Sequence, residues 1–202
     1  MGELVPVFAA YEAGGRNLHK LLSYAPIYER LLAPFRQRSV VLVEFGIGKG
    51  GCLTMWKDYL GPYAQVIGID LHDGEFYTDA QITCVQGDQG DAEFLRSLPA
   101  RLPRPDIVID DASHINTHQI ATLQTLFPHL NPGGVYAVED THTSYRSAYG
   151  GGYRRSDTFI EYCKNLVDGL HRTEDPAIAP PAWIEQLSSI AFYPSLAVLI
   201  HA

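Results

Sequence analysis

Cysteine, methionine and tryptophan are scarce in this 202-residue chain, at three, two and two residues. Cys52, Cys84 and Cys163 lie far apart, and no CxxC or Cys/His cluster has zinc-ligand spacing. Three reduced, buried thiols in a cytoplasmic protein are therefore expected. No run approaches the ~20 apolar residues of a membrane helix. The opening MGELVPVFAAYEAGG also lacks the basic-then-apolar order of a signal peptide. No membrane partner is expected. Positive charge is in deficit too: 15 Lys and Arg face 23 Asp and Glu, for a net charge of −8. An acidic chain is a poor match to a phosphate backbone, so no nucleic-acid partner is expected either. The acidity suits a cation, or solubility alone. Internal repeats, low-complexity tracts and long polar linkers are missing, and one domain over residues 1–202 is expected.

What is present is an alternation of short apolar runs with helix-like segments, the pattern of a parallel sheet with crossover helices. The runs at 40–45, 64–70, 81–86, 106–111 and 134–140 read as strands. Segments 51–59, 92–97 and 116–127 read as helices, the last closed by Pro128 and the Asn131-Pro132-Gly133-Gly134 turn. A further helix is expected over 16–36, with Leu18, Leu21, Leu22 and Ile27 on one side. The tail 190–200 reads as a hairpin around Pro194. A mostly parallel seven-stranded sheet ending in an antiparallel hairpin is the layout of the class I S-adenosylmethionine (SAM)-dependent methyltransferases, a Rossmann-like α/β fold. The expected parts are an N-terminal helical segment (1–38), a cofactor-binding core (39–140), a lid loop (141–155) and a C-terminal helix and hairpin (156–202).

Glu44-Phe45-Gly46-Ile47-Gly48-Lys49-Gly50-Gly51 follows the first strand and opens a helix. Glycines at such a turn permit positive φ and close approach of a ligand. Gly46, Gly48 and Gly51 formally satisfy GxGxxG, the dinucleotide fingerprint. Glu44 favours SAM, because an acid there pairs with an amino group and repels a pyrophosphate. Asp70 ends the second strand, where it can accept ribose hydroxyls; a nicotinamide dinucleotide would want the same acid. The Gln86-Gly87-Asp88 turn ends the third strand, beside the expected adenine.

Asp110-Asp111-Ala112-Ser113-His114 and Glu139-Asp140-Thr141-His142 end the fourth and fifth strands. In a parallel sheet these ends point the same way, so the acids are expected to converge. Converging carboxylates repel unless protonated or bound to a cation, and such an oxygen set suits Mg²⁺. His114 is a candidate general base near neutrality.

On the motifs VEFGIGKGGCLTMWKDYLGPYAQVIGIDL, DIVIDDASHINTHQI, LFPHLNPGGVYAVEDTHTSYRSAYGGG and TFIEYCKNLVDGL, the sequence resembles the metal-dependent sugar O-methyltransferases of natural-product pathways. The resemblance implies Mg²⁺ held by Asp111, Glu139 and Asp140, with His114 as base. It implies SAM contacts from Glu44, Gly46, Asp70 and the Gln86–Asp88 turn, and a homo-oligomer. Gly48 and Asp110 complete the expected cofactor contacts. The acceptor is then a small-molecule hydroxyl, on a sugar or another vicinal diol. Two alternatives stand beside this reading: an NAD(P)-dependent oxidoreductase, which leaves the acidic pairs unexplained, and a non-catalytic SAM-binding module.

Overall fold

The computed structural model describes residues 3–14, 18, 20–72 and 78–202. Seven strands, β1 (Val41–Phe45), β2 (Gln65–Asp70), β3 (Ile82–Gln86), β4 (Ile107–Asp110), β5 (Val135–Glu139), β6 (Leu187–Tyr193) and β7 (Leu196–His201), form a sheet in the order β3-β2-β1-β4-β5-β7-β6, and the chain divides into two compact units, Met1–Asp88 and Gln89–Ala202.

In the first unit, β1 (Val41–Phe45), β2 (Gln65–Asp70) and β3 (Ile82–Gln86) run parallel, with β2 between the other two. β1 and β2 are nearly continuous apolar runs and are buried along most of their length, as parallel strands covered on both faces must be. α3 (Gly51–Leu60) crosses from β1 to β2. It packs on β2 at Gly68, where an added Cβ would stand 2.6 Å from Leu53 Cδ1 and 2.8 Å from Ile47 Cγ2. Only a residue without a side chain admits that approach.

α1 (Leu4–Ala13), which falls in the expected N-terminal helical segment ahead of the helix read over 16–36, buries Leu4, Phe8 and Tyr11 at i, i+4 and i+7. Its Pro6 falls in the first turn, where a missing N–H costs no helical bond. The helix expected over 16–36 is shorter: α2 spans Ala25–Leu32, flanked by 3-10 turns at Leu22–Tyr24 and Ala33–Phe35. Residues 16, 17 and 19 of that expectation lie outside the described set. Pro26 fixes the start of α2 and thereby its phase. Ala25, Tyr28 and Leu32 face inward, while Leu21 and Leu22 are exposed. Phe8 and Tyr28 meet the Trp56 ring edge-on at 6.1 and 5.2 Å between centroids, forming the aromatic core of this unit.

In the second unit, β4 (Ile107–Asp110) and β5 (Val135–Glu139) are parallel. β7 (Leu196–His201) pairs antiparallel with β5 and with β6 (Leu187–Tyr193), so the expected hairpin is present. The register sets Leu196 opposite Glu139, bringing the hairpin turn to the carboxyl end of β5. α4 (Ala92–Arg101) is capped by Asp91, whose carboxylate accepts the Glu93 and Phe94 amides. It runs through Pro99 rather than stopping near Ser97, because Leu95 and Leu98 are fully packed. α5 covers Asn116–Leu126 and α6 covers Phe159–Leu170. Thr158 caps α6 by accepting the Glu161 amide. Residues 141–149, expected as loop, form two 3-10 turns, Thr141–Tyr145 and Ser147–Tyr149. Buried Asn116 holds them in place. Its amide donates to the Tyr149 carbonyl at 2.8 Å, and its Oδ1 accepts from the Ser144 hydroxyl at 2.7 Å and the Phe159 amide at 2.8 Å.

Candidate active site

The glycine loop of the first unit has the backbone its sequence requires. Gly46, Gly48 and Gly50 stand at φ 82°, 50° and 76°, a region L side chains rarely enter. The Asp70 carboxylate secures the loop: Oδ2 accepts the Ile47 and Gly48 amides at 3.0 and 3.2 Å, and Oδ1 accepts the His72 amide at 3.1 Å. The acid expected to meet a ribose therefore also shapes the loop. Glu44 is completely buried, and the Lys20 ammonium lies 2.9 Å from its Oε1 with neither side chain exposed. The Trp56 indole donates to the same oxygen at 3.2 Å. Sequence reasoning missed Lys20, an isolated charge in a stretch read as an amphipathic helix. Gln86 and Asp88 are exposed at the end of β3, and the Gln86 amide reaches the Leu71 carbonyl at 3.3 Å.

In the second unit the acids sort into two kinds. Asp110 and Glu139 are buried, at 0% and 1% exposure. Asp111 and Asp140 are partly open, and His114 stands between them. His114 Nε2 lies 3.9 Å from Asp111 Oδ1 and 3.7 Å from Asp140 Oδ2. One ligand atom from each of the three comes within 4.8 Å of the others. Glu139 is not part of that group. Octahedral Mg²⁺ at ~2.1 Å sets adjacent donors about 3 Å apart and opposite ones about 4.2 Å apart. The two carboxylates have one oxygen each within 4.8 Å of the other, so small side-chain shifts would let both reach such an ion. Carboxylates suit Mg²⁺ and imidazole suits softer metals, which separates the two Asp residues from His114 by chemistry.

Two features hold this cluster. His114 and Asp140 both adopt left-handed backbone, φ 55° and 53°, a strained state for such residues that persists only where neighbours enforce it. Thr143, buried at 2% exposure, enforces it. Its hydroxyl lies 3.0 Å from the His114 carbonyl and 2.9 Å from the Asp140 carbonyl, and its amide donates to the latter at 2.9 Å. Beneath the cluster, the Gln89 amide donates to Asp110 Oδ1 at 2.7 Å, while its Oε1 accepts from the Ser113 amide and hydroxyl. Burial pushes the Asp110 carboxyl up to about 7. Hydrogen bonds from Gln89 and the Ala112 backbone oppose that rise, and the negative charge of Glu139 adds to it. Asp110 Oδ2 is buried without a hydrogen-bond partner. Gln89 and Thr143 were not anticipated, although Gln89 directly follows the Gln86–Asp88 turn.

No protein-family model matches the chain. The chain is similar to MycE methyltransferase of the mycinamycin biosynthetic pathway, solved with Mg and SAH, at TM-score 0.88 and 32% identity, covering 99% of this chain and 54% of that one. The fold is therefore that of the class I SAM-dependent methyltransferases. More particularly, the chain is a homologue of the natural-product sugar O-methyltransferases. It is 41% identical over 186 residues to 8-demethyl-8-alpha-L-rhamnosyl tetracenomycin-C 2'-O-methyltransferase of Streptomyces olivaceus, covering 87% of this chain and 49% of the relative. It is 38% identical over 164 residues to mycinamicin VI 2''-O-methyltransferase of Micromonospora griseorubida, covering 76% and 41%. The chain thus spans about half the length of the curated relatives it matches.

Proposed function

We propose that this chain carries the catalytic part of a SAM- and Mg²⁺-dependent O-methyltransferase acting on a hydroxyl of a sugar or similar vicinal-diol small molecule in natural-product biosynthesis. The observation that carries the reading is the Asp111–His114–Asp140 cluster, held by two left-handed residues at the ends of β4 and β5. SAM, when bound, would supply a methyl activated on a sulfonium, and Mg²⁺ would supply Lewis acidity that favours loss of a hydroxyl proton. Asp111 and Asp140 would hold the ion, with buried Glu139 as the third expected ligand. His114 takes the acceptor proton at Nε2. Gly46 and Gly48 let the backbone approach the cofactor, and Asp70 positions their loop. Glu44, Gln86, Asp88 and Asp110 complete the proposed cofactor contacts; the unpartnered, buried Asp110 Oδ2 supports a ligand donor there.

An oxidoreductase reading has no use for the metal-type cluster, and a non-catalytic module has no use for His114 within it. Among the described residues no helix is long and apolar enough to cross a membrane, and the net charge of −8 disfavours a nucleic-acid acceptor. A cytoplasmic homo-oligomer completes the reading; light scattering on the purified protein tests the assembly. The functional test is a panel of glycosides and catechols incubated with SAM and Mg²⁺, read by mass spectrometry. Gain of one methyl on a vicinal diol is expected. Tight NAD binding with no response to SAM would overturn the reading.

A further inference from the structure

His118 has no part in the chemistry described so far. It sits half-buried in the first turn of α5, a few residues after His114. Its Nδ1 lies 3.0 Å from the Ser113 hydroxyl. That hydroxyl lies 2.8 Å from Gln89 Oε1, and Gln89 Nε2 lies 2.7 Å from Asp110 Oδ1. The four side chains form one run of hydrogen bonds from α5 to the buried end of β4.

The direction of this run is set by its backbone members. The Ser113 amide can only donate, and it meets the Gln89 side chain at 3.2 Å, so that end of the Gln89 amide is its oxygen. The nitrogen then faces Asp110. With Oε1 as acceptor, the Ser113 hydroxyl must give its one proton to Gln89, since otherwise two sets of lone pairs would face each other at 2.8 Å. The hydroxyl oxygen is left with acceptor capacity alone. The Ile115 amide uses part of it at 3.3 Å, and His118 Nδ1 must supply the other proton. His118 is therefore held with its proton on Nδ1, whereas a free neutral histidine ring favours Nε2.

These bonds bracket the turn that carries Asp111 and His114. Gln89 holds Asp110 just before the turn and both the amide and the hydroxyl of Ser113 within it. Gln89 is 5% exposed and Asp110 is fully buried, so water competes little for these bonds.

We propose that His118 is a positioning residue for Asp111 and His114, acting through Ser113 and Gln89. Its Nδ1 proton commits the Ser113 hydroxyl to Gln89, and Gln89 then fixes the turn at both anchors. The roles given to Asp111 and His114 rest on the proposed O-methyltransferase function.

Two measurements test this. The first is nitrogen NMR of the imidazole rings at alkaline pH, where neutral imidazole prevails. His118 is expected as the Nδ1–H tautomer in the wild type and as the Nε2–H tautomer in Ser113→Ala. An Nε2–H ring in the wild type overturns the proposal. The second is calorimetric titration with Mg²⁺ in the presence of SAH. His118→Leu, which has no donor, is expected to bind Mg²⁺ about three- to tenfold more weakly, the effect of roughly one net hydrogen bond. His118→Asn, whose amide nitrogen falls where Nδ1 was, is expected to bind nearly as wild type does. In a Ser113→Ala background, His118→Leu is expected to cause no further loss, because the path is already cut. Thermal melts confirm the fold of each variant. Unchanged affinity in His118→Leu, equal weakening in His118→Leu and His118→Asn, or a full further loss in the Ser113→Ala background overturns the proposal. Methyl transfer is read separately. A wild type that shows the expected tautomer and couplings but transfers no methyl sinks the proposed function alone. Transfer with an Nε2–H His118 sinks the positioning role alone, and a wild type that binds no Mg²⁺ overturns both.

Discussion

The Thr143 hydroxyl sits 3.0 Å from the main-chain carbonyl of His114, twenty-nine residues away in sequence. The same hydroxyl lies 2.9 Å from the Asp140 carbonyl, so one buried side chain ties the two left-handed residues of the cluster together. Thr143→Val keeps the shape and removes the hydroxyl. It is expected to weaken Mg²⁺ binding about three- to tenfold, the effect of losing roughly one net hydrogen bond, and Thr143→Ser is expected to restore it. Calorimetry on the metal-stripped protein reads both. Unchanged affinity in Thr143→Val would remove Thr143 from any positioning role.

The buried Lys20–Glu44 pair makes a stability prediction. Removing one member leaves the other charged and buried. Lys20→Met should therefore cost about 3–5 kcal/mol, as broken buried pairs do. Lys20→Met/Glu44→Gln should recover most of that loss, since no uncompensated charge remains. Denaturant unfolding curves measure it; a double variant no more stable than the single one contradicts the account.

Asp70 is expected to act on the cofactor partly through the glycine loop. Asp70→Ala should weaken binding of S-adenosylhomocysteine strongly. It should also speed hydrogen exchange at the Ile47 and Gly48 amides in the protein without added cofactor, because their acceptor is gone. Lost affinity with unchanged exchange at those amides would confine Asp70 to direct ligand contact.

The thiols give a pH prediction. Burial raises the Cys84 thiol above its ordinary value and raises Cys163 further. A raised pKa means less thiolate at a given pH, so alkylation of Cys84 should be slow near neutrality and accelerate as pH rises through and beyond the ordinary thiol range. Cys52 and Cys163, both buried, should label only on unfolding. Rapid modification of Cys163 in the native protein at neutral pH would contradict its placement in the core.

Much of this was legible in the sequence, for identifiable reasons. The strand runs and the glycine loop are local signals: β-branched stretches and positive-φ turns leave marks at fixed spacing. The two acidic strand ends were legible because parallel topology carries both to one sheet edge. What escaped reading depends on contacts between distant segments. Lys20 finds Glu44 across twenty-four residues, and Thr143 finds His114 only once α5 and β5 are packed. The helix expected over 16–36 was drawn too long: the α-helix begins at Ala25 with Pro26 in its first turn, so Leu21 and Leu22 lie ahead of it and are exposed. Cys84, expected buried, is only half-covered because β3 lies at the sheet edge. The sorting of acids into a buried pair and an open pair likewise depends on how each strand ends, and Glu139 shows it. It was expected as an equal partner of Asp111 and Asp140, yet it lies buried and outside the three-residue group.

The central claim is that Asp111 and Asp140 hold a metal while His114 removes a proton, and one paired measurement tests it. Mg²⁺ affinity by calorimetry and methyl transfer by mass spectrometry are to be recorded on metal-stripped wild type, Asp111→Ala, Asp140→Ala and His114→Ala. Stripped wild type should be inactive until Mg²⁺ is restored. The two Asp variants should lose metal binding and activity together. His114→Ala should bind metal nearly as wild type does, lose ~10²–10⁴-fold in turnover as expected for a missing general base, and regain part of that rate at high pH. Full activity of the stripped wild type, or loss of metal binding in His114→Ala to the same degree as in the Asp variants, would contradict the account.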